Sequence, residues 1–255
     1  MYLKLMDCPK MKKAFYNFKI DILNTEEVLK KCDLFYTSPN THTLFFLNAH
    51  CFNIAQKDHA YLNAVNNSNL LLNDGIGLKL ASYLTGSRFK ENLNGTDLIP
   101  RLLNFAAQKG KKVFLFGGKQ GVAEKAAHNA QQQIPDLQIA GCHSGYFTDQ
   151  EESQIVNKIL DTKTDLLILG MGVPKQEMWA EKNKKKLKQV SIIVAGGAIL
   201  DFISGEIHRA PGWIRKIHME WLYRLYLEPK RMWKRYLVGN VVFFFHAIRL
   251  KLYSA

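Results

Sequence analysis

The chain has 255 residues, 47% hydrophobic and 22% charged, which suits a folded protein with one large core, or one domain and an appendage. Its 35 Lys+Arg outnumber 22 Asp+Glu, a net charge of +13 that points to an anionic partner (nucleic acid, membrane surface or phosphorylated substrate) or to a basic, soluble surface. Cys8, Cys32, Cys51 and Cys142 show no CxxC spacing and read as free thiols of a reducing compartment, not zinc ligands or disulfides. Lys10, Lys12 and Lys13 interrupt any signal-peptide core, and no run of about 18 apolar residues predicts a membrane-spanning helix.

Met1–Lys13 reads as a loose basic start, followed by a weakly alternating strand over Ala14–Ile22. Asn24-Thr25-Glu26-Glu27 caps a short helix ending near Cys32. Leu44–Asn48 is a short apolar run ending in a polar residue, which predicts a buried strand with Asn48 at its tip. Ala49–Asn66 has helical character. Leu70–Gly77, LLLNDGIG, then reads as a strand end, a turn and the start of a helix. Asp74 stands in that turn between the strand and the flexible Gly75 and Gly77. A carboxylate there either caps the following helix or acts as a base or ligand contact.

Gly95-Thr96-Asp97 opens a helix to Gln108, and Lys112–Phe116 is the next strand. Gly117-Gly118 follows at once. Strand-Gly-Gly-helix is either a phosphate-binding turn or an ordinary strand exit. Further strands are predicted at Leu137–Gly141, Asp165–Leu169 and Val190–Ala195, with helices at Gln120–Gln133 and Asp149–Leu160 between them. Pro174 fits a first helical turn, so Lys175, Gln176 and Glu177 would crown that helix at the carboxyl edge of the sheet. Gly196-Gly197 ends the last strand. This alternation predicts an α/β fold with a doubly wound, mainly parallel sheet.

The pattern changes after Asp201. Two helical stretches, Trp213–Leu227 and Lys230–Leu252, mix aromatic with basic residues, and from Glu206 onward ten Lys/Arg stand against three Glu. Such helices suit an anionic membrane interface; the alternative is a helical hairpin packed on the core with solvated charges. No nucleic-acid-binding module is visible. The expected division is a sheet domain over 1–205 and a helical appendage over 206–255.

NDGIG, NGTDL, FLFGG, GYF, GMGVPKQEMW, AGGAILDFISGEIHRAP and EWLYRLYLEPKR occur in this order. Together they resemble the WecG/TagA/CpsF family of bacterial glycosyltransferases, over about Leu44–Tyr236. The resemblance implies a Rossmann-like transferase that moves an N-acetylhexosamine-type sugar, N-acetylmannosamine or a relative, from a UDP-sugar to a polyprenyl-diphosphate-linked acceptor. Such enzymes work, with inversion and no known metal or cofactor requirement, in teichoic acid or other cell-surface polysaccharide biosynthesis. It implies that Asp74 is the general base, that Gln176 holds a sugar, and that Asn48, Gly75, Gly77, Gly95, Asp97, Gly117, Gly118, Lys175, Glu177 and Gly197 border the substrates. Arg209, Arg224, Arg231 and Arg235 fall where the family has an appendage that meets the membrane and closes over the site. The implied location is cytoplasmic, peripheral on the inner face of the plasma membrane, and the apolar surface permits dimers or trimers.

Two positions depart from the family pattern. Asn92 stands where an arginine usually faces the departing diphosphate, with Arg88, Lys90 or a tail arginine as substitutes. Phe46 replaces a small hydroxyl residue. The competing expectations are a non-catalytic nucleotide- or nucleic-acid-binding α/β protein and an inactive relative of the family.

Overall fold

The computed structural model describes residues 12–217 and 219–253. A hairpin of β1 (Lys12–Phe15) and β2 (Phe18–Asp21) leads to α1 (Thr25–Thr37), β3 (His42–Leu47), α2 (Ala49–Ala55) and α3 (His59–Asn66). Next come β4 (Leu70–Asn73), α4 (Ile76–Thr85), α5 (Gly95–Gln108), β5 (Lys112–Gly117) and α6 (Val122–Gln133). Then follow β6 (Gln138–His143), α7 (Asp149–Asp161), β7 (Leu166–Gly170), α8 (Lys175–Asn183), β8 (Ile192–Ala195) and α9 (Ile199–Ile203). The last elements are α10 (Gly212–Lys216), α11 (Glu220–Leu227), α12 (Pro229–Trp233), a π-helical turn (Lys234–Val238) and α13 (Gly239–Tyr253).

Six parallel strands form the central sheet in the order β4-β3-β8-β7-β5-β6. This is the expected α/β architecture. Its inner strands are buried on both faces, so they read as continuous apolar runs. Alternate side chains separate into two cores. Phe45, Leu47, Phe114, Phe116, Leu167 and Leu169 face one layer. Leu44, Phe46, Val113, Leu115, Leu166 and Ile168 face the other. All strands run the same way, so their polar exits gather along one edge, where ligands bind in such sheets.

Local chemistry explains where several elements differ from the expected bounds. Ala14–Ile22 is a hairpin rather than one strand: Phe15 pairs with Phe18 across a two-residue turn whose Tyr16 has φ 54°. Ala49–Asn66 divides in two because the Asp58 carboxylate accepts the Tyr61 N–H and starts a new helix. The expected strand at Leu137–Gly141 runs instead from Gln138 to His143. The stretch Trp213–Leu227 holds two helices, α10 and α11. The stretch Lys230–Leu252 is interrupted by the π-helical turn, beyond which the Gly239 carbonyl accepts Asn53 Nδ2 at 2.7 Å. Cys32 and Cys51 are buried free thiols and Cys142 is a half-buried one; Cys8 and Lys10 lie outside the described residues.

The tail helix is tied into the main core. Phe243 of α13 is fully buried, and its ring meets Phe52 of α2 edge-on at 5.0 Å between centroids. Phe243→Ala removes a whole aromatic ring from packed surroundings, so a loss of about 3–5 kcal/mol in unfolding free energy is expected. Urea denaturation monitored on the sheet domain measures it.

Candidate active site

The carboxyl edge of the sheet borders a cleft with two lobes. The glycine-lined lobe, about 940 Å³, lies over the exits of β5, β7 and β8. The helix-lined lobe, about 630 Å³, lies between α4, the loop before α5 and the tail helices. Asn48, His50, Asp74, Thr96, Phe202, Arg224 and Arg235 border both. Asp74 therefore stands where the lobes meet.

The geometry around Asp74 follows from strand pairing. Leu47 of β3 lies opposite Asn73 of β4, so the next residues, Asn48 and Asp74, emerge side by side. The Asp74 N–H donates to the Leu47 carbonyl at 2.8 Å. Asn48 caps α2 by accepting the Cys51 N–H at 3.0 Å, and this fixes its amide. Its Nδ2 then donates to Asp74 Oδ2 at 3.1 Å. Asp74 does not cap α4; the N-cap is Gly75, at φ 95°, with no side-chain bond. Of the two uses open to this carboxylate, the cap is thus not the one adopted. Burial pushes its pKa above the ordinary 3.8, against the downward pull of the Asn48 amide and the Arg235 and Arg224 charges.

Gln176 is not a cap either. It is buried and ties two turns together: its Oε1 accepts the Gly197 N–H at 2.9 Å, and its Nε2 donates to Glu177 Oε1 at 2.8 Å. Glu177 is 1% exposed, its Oε2 has no partner, and burial pushes its pKa up to about 7. Both residues border the glycine-lined lobe. So does Lys175, whose Nζ donates to the Gly145 carbonyl at 2.9 Å and sits over the Phe147 ring.

The glycines of this edge differ in what they allow: Gly117 and Gly118 leave no room for a Cβ, whereas Gly75 and Gly197 face open space at positive φ. A Cβ on Gly117 would stand 2.4 Å from the Gly170 carbonyl group, and Gly117 borders neither lobe. Gly118 borders the glycine-lined lobe, but its N–H is spent on the Gly170 carbonyl at 3.0 Å, so this amide is not free for a phosphate. Gly95 and Gly197 border the same lobe, and Gly75 and Gly77 the other.

Asn92 lies in the helix-lined lobe, where its Oδ1 accepts the Gly75 N–H at 2.8 Å. It holds the turn that carries Asp74. Arg88 and Lys90 border neither lobe, and Lys90 pairs with Glu27. The cations that do reach the centre come from the tail. Arg224 and Arg235 border both lobes, with Nε of each and Nη2 of Arg224 buried and unpartnered. Arg231 borders the glycine-lined lobe while pairing with Glu228 at 3.1 Å. Arg209 sits outside both lobes. Its guanidinium bridges Asp97, at 2.7 Å, and Glu220, at 3.3 Å, so it latches the start of α5 to α11. Asp97, which borders the helix-lined lobe, is taken up in that latch.

Several bordering residues have no counterpart among those singled out in the sequence. His50 follows Asn48 by two and faces both lobes; burial, with the Arg235 charge, lowers its pKa to about 4, so it is neutral. Asp201 and Tyr146 border the glycine-lined lobe, and burial raises the Asp201 pKa. The only signal for His50 and Asp201 was nearness to a strand exit. Phe46, 7% exposed, also borders this lobe. Among the described residues no group of three or more His, Cys, Asp and Glu is placed to hold a metal ion.

Glu177 makes stability depend on pH. Its folded pKa, about 7, lies above the ordinary 4.5, so the unfolded chain ionises first and stability falls between these values. Glu177→Gln keeps an acceptor for Gln176. It is expected to raise unfolding free energy by roughly 1–3 kcal/mol at about pH 8 and to lose that advantage at acid pH. Thermal denaturation across pH reads the difference.

The sequence model of the "Glycosyl transferase WecG/TagA/CpsF family" matches residues 13–255. The chain is 34% identical over 183 residues to the N-acetylglucosaminyldiphosphoundecaprenol N-acetyl-beta-D-mannosaminyltransferase of Bacillus subtilis (strain 168), a match covering 72% of this chain and 70% of that one. It is 30% identical over 223 residues to the protein of the same name from Staphylococcus aureus (strain NCTC 8325 / PS 47), covering 84% and 87%. The chain belongs to the WecG/TagA/CpsF family of glycosyltransferases.

Proposed function

We propose that this enzyme transfers an N-acetylhexosamine-type sugar, N-acetylmannosamine or a close relative, from a UDP-sugar to a GlcNAc-diphosphate-polyprenol acceptor, with inversion. The carrying observation is Asp74, a carboxylate of raised pKa at the meeting point of two lobes, beside two arginines with unpartnered N–H groups. The relatives' names, which specify such an acceptor and such a sugar, support the same assignment.

The donor occupies the glycine-lined lobe. Backbone without side chains lets a nucleotide approach the strand ends, Tyr146 offers a ring for the base, and Asp201 an acceptor for sugar hydroxyls. The acceptor sugar enters through the helix-lined lobe. Asp74 takes the proton of its hydroxyl as that oxygen attacks the anomeric carbon from the face opposite the leaving UDP. The raised pKa brings the base nearer to the proton it must accept. Asn48 holds one carboxylate oxygen and leaves the other for the hydroxyl. Negative charge grows on the departing diphosphate, and Arg224, Arg231 and Arg235 neutralise it. These tail arginines supply the charge that Asn92 lacks, and Asn92 instead steadies the turn of the base.

The tail also brings the enzyme to its lipid-linked acceptor. Trp213, Tyr226 and Trp233 are exposed among lysines and arginines, a composition suited to an anionic leaflet, here the inner face of the plasma membrane. No helix among the described residues is long and apolar enough to cross a membrane, so attachment is peripheral.

Asp74→Asn is expected to leave the melting temperature and UDP binding nearly unchanged and to cut turnover by ~10²–10⁴. UDP release from UDP-N-acetylmannosamine with a GlcNAc-diphosphate-lipid acceptor is the assay, and near-full turnover by the variant defeats the assignment. The acid limb of kcat/KM should lie above the ordinary aspartate value of 3.8, because the base works only when ionised and its pKa is raised.

Sedimentation with vesicles containing anionic lipid tests the tail. Lys216 and Lys230 are exposed and border neither lobe. The double change Lys216→Gln, Lys230→Gln is expected to weaken binding about tenfold or more, and added salt should weaken the parent. Salt-independent binding would contradict an electrostatic attachment.

A further inference from the structure

Arg224 differs from the other arginines of the site in how it is held. Arg209 is fixed by the carboxylates of Asp97 and Glu220, and Arg231 pairs with Glu228. Such pairs orient a guanidinium, but they occupy its N–H groups and offset its charge. Arg235 lies over the ring of its own neighbour in the chain, Tyr236. Arg224 belongs to α11, yet its guanidinium carbon lies over the ring of Phe202 in α9, 5.1 Å from the centroid. Its Nε and Nη2 are buried without a partner, and donors so placed ordinarily have an acceptor.

The geometry of α9 places Phe202 for this contact. Ile199, Leu200 and Ile203 share one side of that short helix. The first two are buried in the core, and Ile203 packs against it. Asp201 and Phe202 turn away from that side and border the cleft. Phe202 belongs to neither core and borders both lobes, so core packing does not account for it.

A long arginine side chain loses rotamer freedom when it meets a ligand. An aromatic face lowers that cost beforehand. It attracts the cation through the ring's negative face and leaves the N–H groups free.

We propose that Phe202 is a positioning residue: its ring holds the Arg224 guanidinium where the lobes meet, with N–H groups left for the donor's diphosphate. The inference rests on the role given to Arg224 above.

The test uses the full chain with Phe202→Leu, which keeps apolar bulk and removes the aromatic face, and with Phe202→Tyr, Arg224→Ala and the double variant Phe202→Leu, Arg224→Ala. Phe202→Leu should lower kcat/KM about 3- to 30-fold, the range of a cation–π contact from exposed to desolvated. Phe202→Tyr should restore most of that loss. In the Arg224→Ala background the leucine change should cost less than about twofold, because the group it positions is gone. Equal losses in the two backgrounds overturn the proposal, since the ring would then act on substrate or fold independently of Arg224. So does a tyrosine variant as impaired as the leucine one.

Binding gives a second reading that needs no turnover. Calorimetry of UDP and of uridine measures what the diphosphate adds to affinity. Phe202→Leu should lower the UDP-to-uridine affinity ratio at least about threefold, with uridine affinity unchanged. Equal weakening of both ligands marks the ring as a nucleoside contact and overturns the proposal. Unchanged turnover in Arg224→Ala, or a parent that binds UDP no better than uridine, would instead defeat the reading of Arg224 on which the proposal rests.

Discussion

The site depends on the parallel pairing of β3 with β4. Leu47 and Asn73 are in register, and the Asp74 N–H continues the ladder onto the Leu47 carbonyl. Two chain segments thereby leave the sheet together, and Asn48 is placed to serve both. Its Oδ1 caps α2 and its Nδ2 holds Asp74. A single amide thus joins the start of a helix to the orientation of the carboxylate. A slip of one residue in that register would send every side chain of the strand to the opposite face and separate the pair.

A second group of bonds holds the turns around this centre. Asn92 takes the Gly75 N–H, Gln176 takes the Gly197 N–H, and Gly118 is bonded to Gly170. The turns at the sheet edge are therefore fastened by the protein's own donors and acceptors. Free positive charge enters from the other side, on Arg224 and Arg235 of the tail. A fastened edge with unpartnered guanidinium nitrogens beside it suits an anionic ligand. Burying Glu177 beneath Gln176 costs stability near neutral pH, and that cost is the consequence of building the Gln176 bridge from a buried helix start.

Two of the tail's attachments to the remainder of the chain are of different physical kinds. Phe243 is held by burial against Phe52. Arg209 holds α11 to the start of α5 through Asp97 and Glu220, at the surface, where salt screens it. The first is insensitive to ionic strength and places α13 beside α4. The second bears on the segment that carries Arg224. The family resemblance puts Arg209 in an appendage that closes over the site, and its carboxylate partners make it a clasp between α11 and the start of α5.

Much of the fold was legible in the chain alone, because a strand buried on both faces leaves an unbroken apolar run and a polar exit. Leu44–Asn48, the leucines of Leu70–Gly77, Lys112–Phe116 and Asp165–Leu169 all read that way, and they put Asn48, Asp74, Gly118 and Gln176 on one edge. Boundaries set by a single capping or turn residue, Asp58 and Tyr16 among them, were not legible, since an amphipathic pattern continues across such breaks. The roles of polar groups at the edge required the folded chain. Whether Asp74 caps α4, whether the Gly118 N–H is free, and whether Arg209 meets a ligand or a carboxylate depend on partners 26, 52 and 112 residues away in sequence. Hydrophobic periodicity is a local property and determined which segments form the sheet. Hydrogen-bond pairing is a property of the packed molecule, and only the tertiary structure decided which groups were left open for chemistry.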